Sequence, residues 1–123
     1  MGWICTQEEV EKFLENVHIL LSGISPENNL YVLKENKAGD KTHEYMIRNN
    51  INRQIICTEI LKLDTTNYSK TDYDDNPHFK NEKVWLFGQM YGTEELYIKL
   101  KLRGKVICLS FHEKQFDIKY PYL

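Results

Sequence analysis

Leu96-Tyr97-Ile98-Lys99-Leu100-Lys101-Leu102-Arg103 alternates apolar with polar side chains at every step. That is the period of a β-strand with one face buried and the other wet. The run Val84-Trp85-Leu86-Phe87-Gly88-Gln89-Met90-Tyr91 precedes it across Gly92-Thr93, and Lys105 to Phe111 follows it across Arg103-Gly104. Three strands near 84–91, 95–103 and 105–112, joined by tight turns, predict an antiparallel meander. Leu96, Ile98, Leu100 and Leu102 form its core face, and Ile107 and Leu109 are expected to join them.

Upstream the period changes from two to that of a helix. Thr6-x-x-Glu9 reads as a capping box, and Val10, Phe13, Leu14, Val17, Leu20, Leu21 and Ile24 follow at helical spacing, predicting a helix over 7–22. Leu30–Leu33 reads as a short strand before a Gly39-Asp40 turn. Thr42 is expected to cap a helix running to Asn49, and Asn52 one carrying Ile55, Ile56, Ile60 and Leu63. The turn-rich stretch 64–81 reads as a long surface loop. These helices have apolar stripes that need a partner, and the sheet offers the only large apolar face. The expected fold is α+β, with N-terminal helices packed on one face of a C-terminal antiparallel sheet, as a single domain over 1–123.

The chain has 123 residues, 41% apolar and 28% charged, a mixture that excludes disordered and collagenous classes. No run reaches the ~18 apolar residues of a spanning helix, and no secretory pattern precedes the capping box, so a cytoplasmic protein with no membrane association is expected. Cys5, Cys57 and Cys108 are odd in number and far apart, which argues against a disulfide framework and a zinc ribbon. The histidines show no ligand spacing, so no metal and no cofactor is expected. Asp72-x-Asp74-x-Asn76 begins like a calcium loop but has Pro77 and Lys83 where Gly and Glu are required. The net charge of −2 conceals an asymmetry: residues 1–79 hold 8 Lys/Arg against 13 Asp/Glu, and residues 80–123 hold 8 against 5. A polyanion therefore has a local cationic surface available near the C-terminus.

Treating Arg103-Gly104 as a two-residue turn sets Leu100 opposite Ile107 and Ile98 opposite Leu109, apolar against apolar. The open face then pairs Lys99 with Cys108, Lys101 with Val106, Tyr97 with Ser110 and Glu95 with His112. Two ammonium groups can neutralise a phosphate, a Tyr can stack or transfer a proton, and a His can switch protonation near neutral pH. Lys-x-Lys is also a routine way to solvate the open face of a sheet. Alternation alone leaves both readings standing.

The strand motifs carry a resemblance. Val84-Trp85-Leu86-Phe87-Gly88, Leu96-Tyr97-Ile98-Lys99-Leu100-Lys101-Leu102, Cys108-Leu109-Ser110-Phe111-His112-Glu113 and the closing Tyr120-Pro121-Tyr122 resemble the C-terminal half of toxins of the motility quorum-sensing regulator (MqsR) family. Glu59-Ile60-Leu61-Lys62-Leu63 leading into Asn67-Tyr68 is similar to that family as well, so the resemblance covers most of the chain after about residue 42. It implies a RelE-like fold, an mRNA-cleaving ribonuclease that needs no metal, and a cognate antitoxin protein as partner. In such an enzyme the ribose 2′-hydroxyl attacks the adjacent phosphate and the 5′-oxygen leaves. The family's Tyr-x-Lys strand falls on Tyr97 and Lys99, and its preceding Gln on Gln89, which alternation aims toward the core face. The expected catalytic residues are Lys99, Tyr97, His112 and Lys101, with Arg103, Ser110 and Gln89 as RNA contacts. Asp72, Asp74 and Asp75 would repel RNA if their loop lay over this site. A non-catalytic protein-binding module using the same sheet face is the competing reading.

Overall fold

Thr6 begins the first helix through the reciprocal bonds of a capping box: its hydroxyl accepts from the Glu9 N–H at 3.1 Å, and the Glu9 carboxylate accepts from the Thr6 N–H at 2.8 Å. The structure is a computed structural model describing residues 2–34 and 40–123. The elements run α1 (Gln7–Leu21), β1 (Leu30–Val32), α2 (Lys41–Arg48), α3 (Arg53–Leu61), β2 (Tyr68–Tyr73), β3 (Lys83–Tyr91), β4 (Glu94–Arg103) and β5 (Lys105–Glu113), with short 3-10 turns at Pro26–Asn29, Thr65–Asn67 and Pro77–Phe79. The strands form one sheet in the order β1-β5-β4-β3-β2. All three helices bury their apolar stripes in the same core as Leu96, Ile98 and Leu100, so the α+β architecture read from the sequence is the one observed. Phe13 stacks on Trp85 at 4.4 Å and 10°, which holds α1 against β3.

The sheet is mixed rather than antiparallel, because β1 pairs with β5 in parallel, Tyr31 opposite Ile107. The stretch 64–81 is not a loop throughout. β2 lies within it as an edge strand antiparallel to β3, and Trp3 pairs in turn with its outer edge, exchanging both backbone bonds with Thr71 at 2.8 Å. Alternation is hidden there because Ser69 is an extra residue: Tyr68 opposes Phe87 and Lys70 opposes Leu86. Asp40, not Thr42, caps α2, accepting from the His43 N–H at 3.2 Å. Thr42 is buried, and its hydroxyl accepts from the Phe111 N–H at 3.1 Å, tying α2 to β5. Gly39 of the expected Gly39-Asp40 turn lies outside the described residues.

The β3–β4 hairpin turns at Gly92-Thr93 as its sequence predicts, with Tyr91 opposite Glu94. The β4–β5 register differs from expectation. Gly104, at φ 69°, turns the chain with Arg103 opposite Lys105, so Leu100 faces Cys108 and Lys101 faces Ile107. Val106 and Cys108 are therefore in the core, and Ile107 and Leu109 lie on the other face. Beyond this point Leu109 is an extra residue, and pairing resumes with Lys99 opposite Ser110 and Tyr97 opposite His112.

The tail folds back across the open face of β3 and β4. Lys114 donates its N–H to the Glu95 carbonyl at 3.0 Å, the Tyr120 hydroxyl donates to the Glu95 carboxylate, and the Tyr122 hydroxyl donates to the Cys5 carbonyl. Tyr120 lies directly on Gly88, where a Cβ would collide with its hydroxyl and stand 2.8 and 2.9 Å from two ring carbons. Gly88→Ala should therefore lower stability by about 1–3 kcal/mol in urea unfolding. In a Tyr120→Ala background the same substitution should cost nothing further, and an unchanged cost there would show that the tail does not set the need for glycine.

Candidate functional site

The two extra residues, Ser69 in β2 and Leu109 in β5, bring their strands' polar side chains onto the open face beside β4. The face carries Lys70 from β2, Tyr97, Lys99, Lys101 and Arg103 from β4, and Ser110 and His112 from β5. Lys70, Tyr97, Lys99 and Ser110 line a cleft of about 630 Å³ floored by Val84, Leu86 and Leu109. One wall is the segment Asp72–Pro77, so the acidic stretch does lie over this face.

Lys101 is not available to a ligand, and Arg103 is drawn into the same cluster while its side chain stays 45% exposed. The connection between β2 and β3 folds back as a strap, with the Asp74 N–H donating to the Glu82 carbonyl at 2.9 Å. Lys101 is buried beneath it, its Nζ 2.6 Å from Asp74 Oδ2 and 3.0 Å from Glu82 Oε1. Arg103 grips Glu82 through Nε and Nη2 at 2.9–3.1 Å. The Phe79 ring lies 4.5 Å from the Lys101 ammonium and 4.0 Å from the Arg103 guanidinium. Hydrogen bonds from Arg103 first, then Lys101, hold the Glu82 carboxyl below its usual range. Lys101, expected as a catalytic residue, clasps the strap instead; Arg103, expected as an RNA contact, pairs with Glu82 at the exposed edge of the same cluster.

Lys99 and Lys70 have no carboxylate partner among the described residues. The Lys99 ammonium stands 5.9 Å from the Tyr97 ring centroid. Burial first, and then the nearby charges of Asp75 and Asp72, push the Tyr97 phenol up to about 12, so it keeps its proton across the neutral range and can donate it. His112 stacks on Tyr97 at 5.7 Å and is buried behind it, outside the lining of the cleft. Its Nδ1 lies 2.9 Å from the Glu113 carbonyl oxygen, which only accepts, so Nδ1 carries the hydrogen. Glu95 is not opposite His112, because the register places Met90 and the tail beside it; Lys114 and Tyr120 hold its carboxyl below the usual range.

Gln89 is on the opposite face. Its amide donates to the Glu59 carbonyl at 3.1 Å and carboxylate at 2.8 Å, satisfying the end of α3. Among the described residues no three His, Cys, Asp or Glu side chains are grouped to hold a metal ion, and no helix is long and apolar enough to cross a membrane. A second groove, of about 760 Å³ between α1 and Leu63–Thr65, offers acids and apolar side chains but no free cation. Sequence reasoning missed Lys70 because Ser69 masks the strand; Thr71 and Tyr73, both β-favouring, were the available signal.

The family model described as "Motility quorum-sensing regulator, toxin of MqsA" matches residues 28–113, from just before β1 to the end of β5. No curated protein and no solved structure matches. The match leaves α1 and the tail outside it.

The two lysines of β4 should separate cleanly in stability measurements. Lys101→Ala leaves the largely buried Asp74 carboxylate without its cation and should cost about 3–5 kcal/mol in urea unfolding. Lys99→Ala should stay within about 0.5 kcal/mol of the parent. Equal losses would contradict this division.

Proposed function

Because the chain belongs to the motility quorum-sensing regulator family, the toxins of MqsA, we propose that it is the toxin of a toxin-antitoxin pair acting as an endoribonuclease on mRNA. The observation that supports catalysis is the cleft itself, in which two ammonium groups with no ion-pair partner among the described residues, Lys70 and Lys99, stand with the Tyr97 and Ser110 hydroxyls. A phosphodiester carries one negative charge in the ground state and more in the phosphorane-like transition state. Cations already in place on a rigid sheet favour the second over the first.

The reaction runs from the ribose 2′-hydroxyl. Its oxygen bonds to phosphorus, its proton passes to water at the mouth of the cleft, and the bond from phosphorus to the 5′-oxygen breaks. The products are a 2′,3′-cyclic phosphate and a 5′-hydroxyl. Lys99, with Lys70 across the cleft, compensates the charge on the non-bridging oxygens, and Ser110 donates to one of them. Tyr97, protonated at neutral pH, gives its proton to the leaving oxygen. His112 holds the Tyr97 ring by stacking on it, a positioning role rather than the acid's. The cognate antitoxin is the protein partner. No metal is required because the lysines supply the charge.

Expression of the wild-type chain in bacteria should arrest growth with loss of mRNA, and the purified protein should leave 2′,3′-cyclic phosphate ends in the presence of chelator. Lys99→Ala should reduce cleavage by about 10²-fold or more at unchanged stability, and Tyr97→Phe should reduce it while RNA binding persists. A folded wild type that neither arrests growth nor cleaves RNA would sink the ribonuclease reading in favour of the protein-binding module.

A further inference from the structure

The tail after Glu113 lies outside the family match, yet it is firmly held. The Lys114 ammonium reaches Glu95 Oε1 at 2.8 Å in addition to its backbone bond, Tyr120 reaches the same carboxylate, and the Tyr122 ring stacks on Tyr68 at 6.0 Å. Between these anchors the Phe116 ring meets Tyr97 edge-on, at 5.3 Å and 72°, and remains 53% exposed. Phe116 is thus an apolar ring fixed to the cleft's own tyrosine and open to solvent, and it takes no part in the buried core.

The order of groups along β4 gives the direction of a bound strand. Arg103 and Lys101 lie under the acidic strap, Lys99 follows, then Tyr97 with Phe116 against it, then Glu95, whose charge Lys114 compensates. A polyanion whose phosphate is held at Lys99 meets the Asp72–Pro77 wall with the Asp75 carboxylate on one side, so its chain leaves over Tyr97 and Phe116. An unpaired base arriving there meets an exposed aromatic face. Ring-on-base stacking is the general means of holding single strands without reading their sequence.

We propose that Phe116 is a stacking platform for the unpaired RNA base next to the phosphate held at Lys99, a subsite contributed by the tail. It rests on the ribonuclease reading above. It confers preference for single-stranded over duplex RNA, since a paired base has no free face to offer, and it tolerates any base.

The test is binding of a fluorescein-labelled, single-stranded 2′-O-methyl RNA oligomer, which cannot be cleaved, followed by anisotropy. Phe116→Ala should weaken binding roughly 5- to 150-fold. Phe116→Leu, apolar but without a π-face, should weaken it comparably. Phe116→Trp should bind like the wild type, with its added indole emission quenched by the RNA. Thermal unfolding of each variant, unchanged from the parent, would exclude a merely structural effect. If the wild type binds and cleaves while Phe116→Leu binds equally well, the platform is wrong and the ribonuclease reading stands. A wild type that neither binds the oligomer nor cleaves RNA overturns both.

Discussion

One extra residue in β5, Leu109, determines which side chains meet on the open face. Had the pairing that sets Leu100 opposite Cys108 continued without it, Ser110 would face Ile98 and His112 would face Leu96, both pointing into the helix-covered core. Phe111, now fully buried against α2 through Tyr45, would be turned outward. A single inserted residue reverses every side chain beyond it, because the period of a strand is two. Ser69 does the same in β2, turning Lys70 toward the cleft while Tyr68 stays in the core. Strands β3 and β4 pair between these two bulges without a break, as the rigid floor.

That floor carries cations with opposite fates. Lys101 is withdrawn from water, and a charge so placed is tolerable only with partners at bonding distance, which Asp74 and Glu82 provide. Two residues along, Lys99 keeps its solvent contact and needs no such partner. Identical residue types on one strand thus serve cohesion in one case and leave charge available in the other. The strap that clasps Lys101 also acts at a distance, since its Asp75, with Asp72 of β2, adds to burial in keeping the Tyr97 phenol protonated.

How much of this was legible depended on whether the signal was local. The capping box at Thr6 and the alternation of β4 are written in consecutive residues, and both formed where they were expected. The face of β4 was legible; its partners were not. Register across Arg103-Gly104 hinged on whether the turn held one residue or two, and Val106 and Cys108 are apolar enough to suit either face. The burial of Lys101 depended on acids 19 and 27 positions away, which no periodicity connects to it. β2 was read as a loop because its residues are polar and its bulge breaks the alternation.

The mildly acidic composition does not conflict with a polyanion at the cleft, because three acids around the open face are compensated in place. Glu82 is held by Arg103 and Lys101, Asp74 by Lys101, and Glu95 by Lys114. A phosphate approaching the open face responds to charges within about a Debye length, ~8 Å at physiological ionic strength, and not to the sum over the chain. Within that range it meets Lys99 and Lys70, without a carboxylate partner among the described residues, and Lys101 already neutralised. The strap's Asp75 lies on one side only, so the field is lopsided, and it favours an anion seated at Lys99 whose chain runs toward the tail.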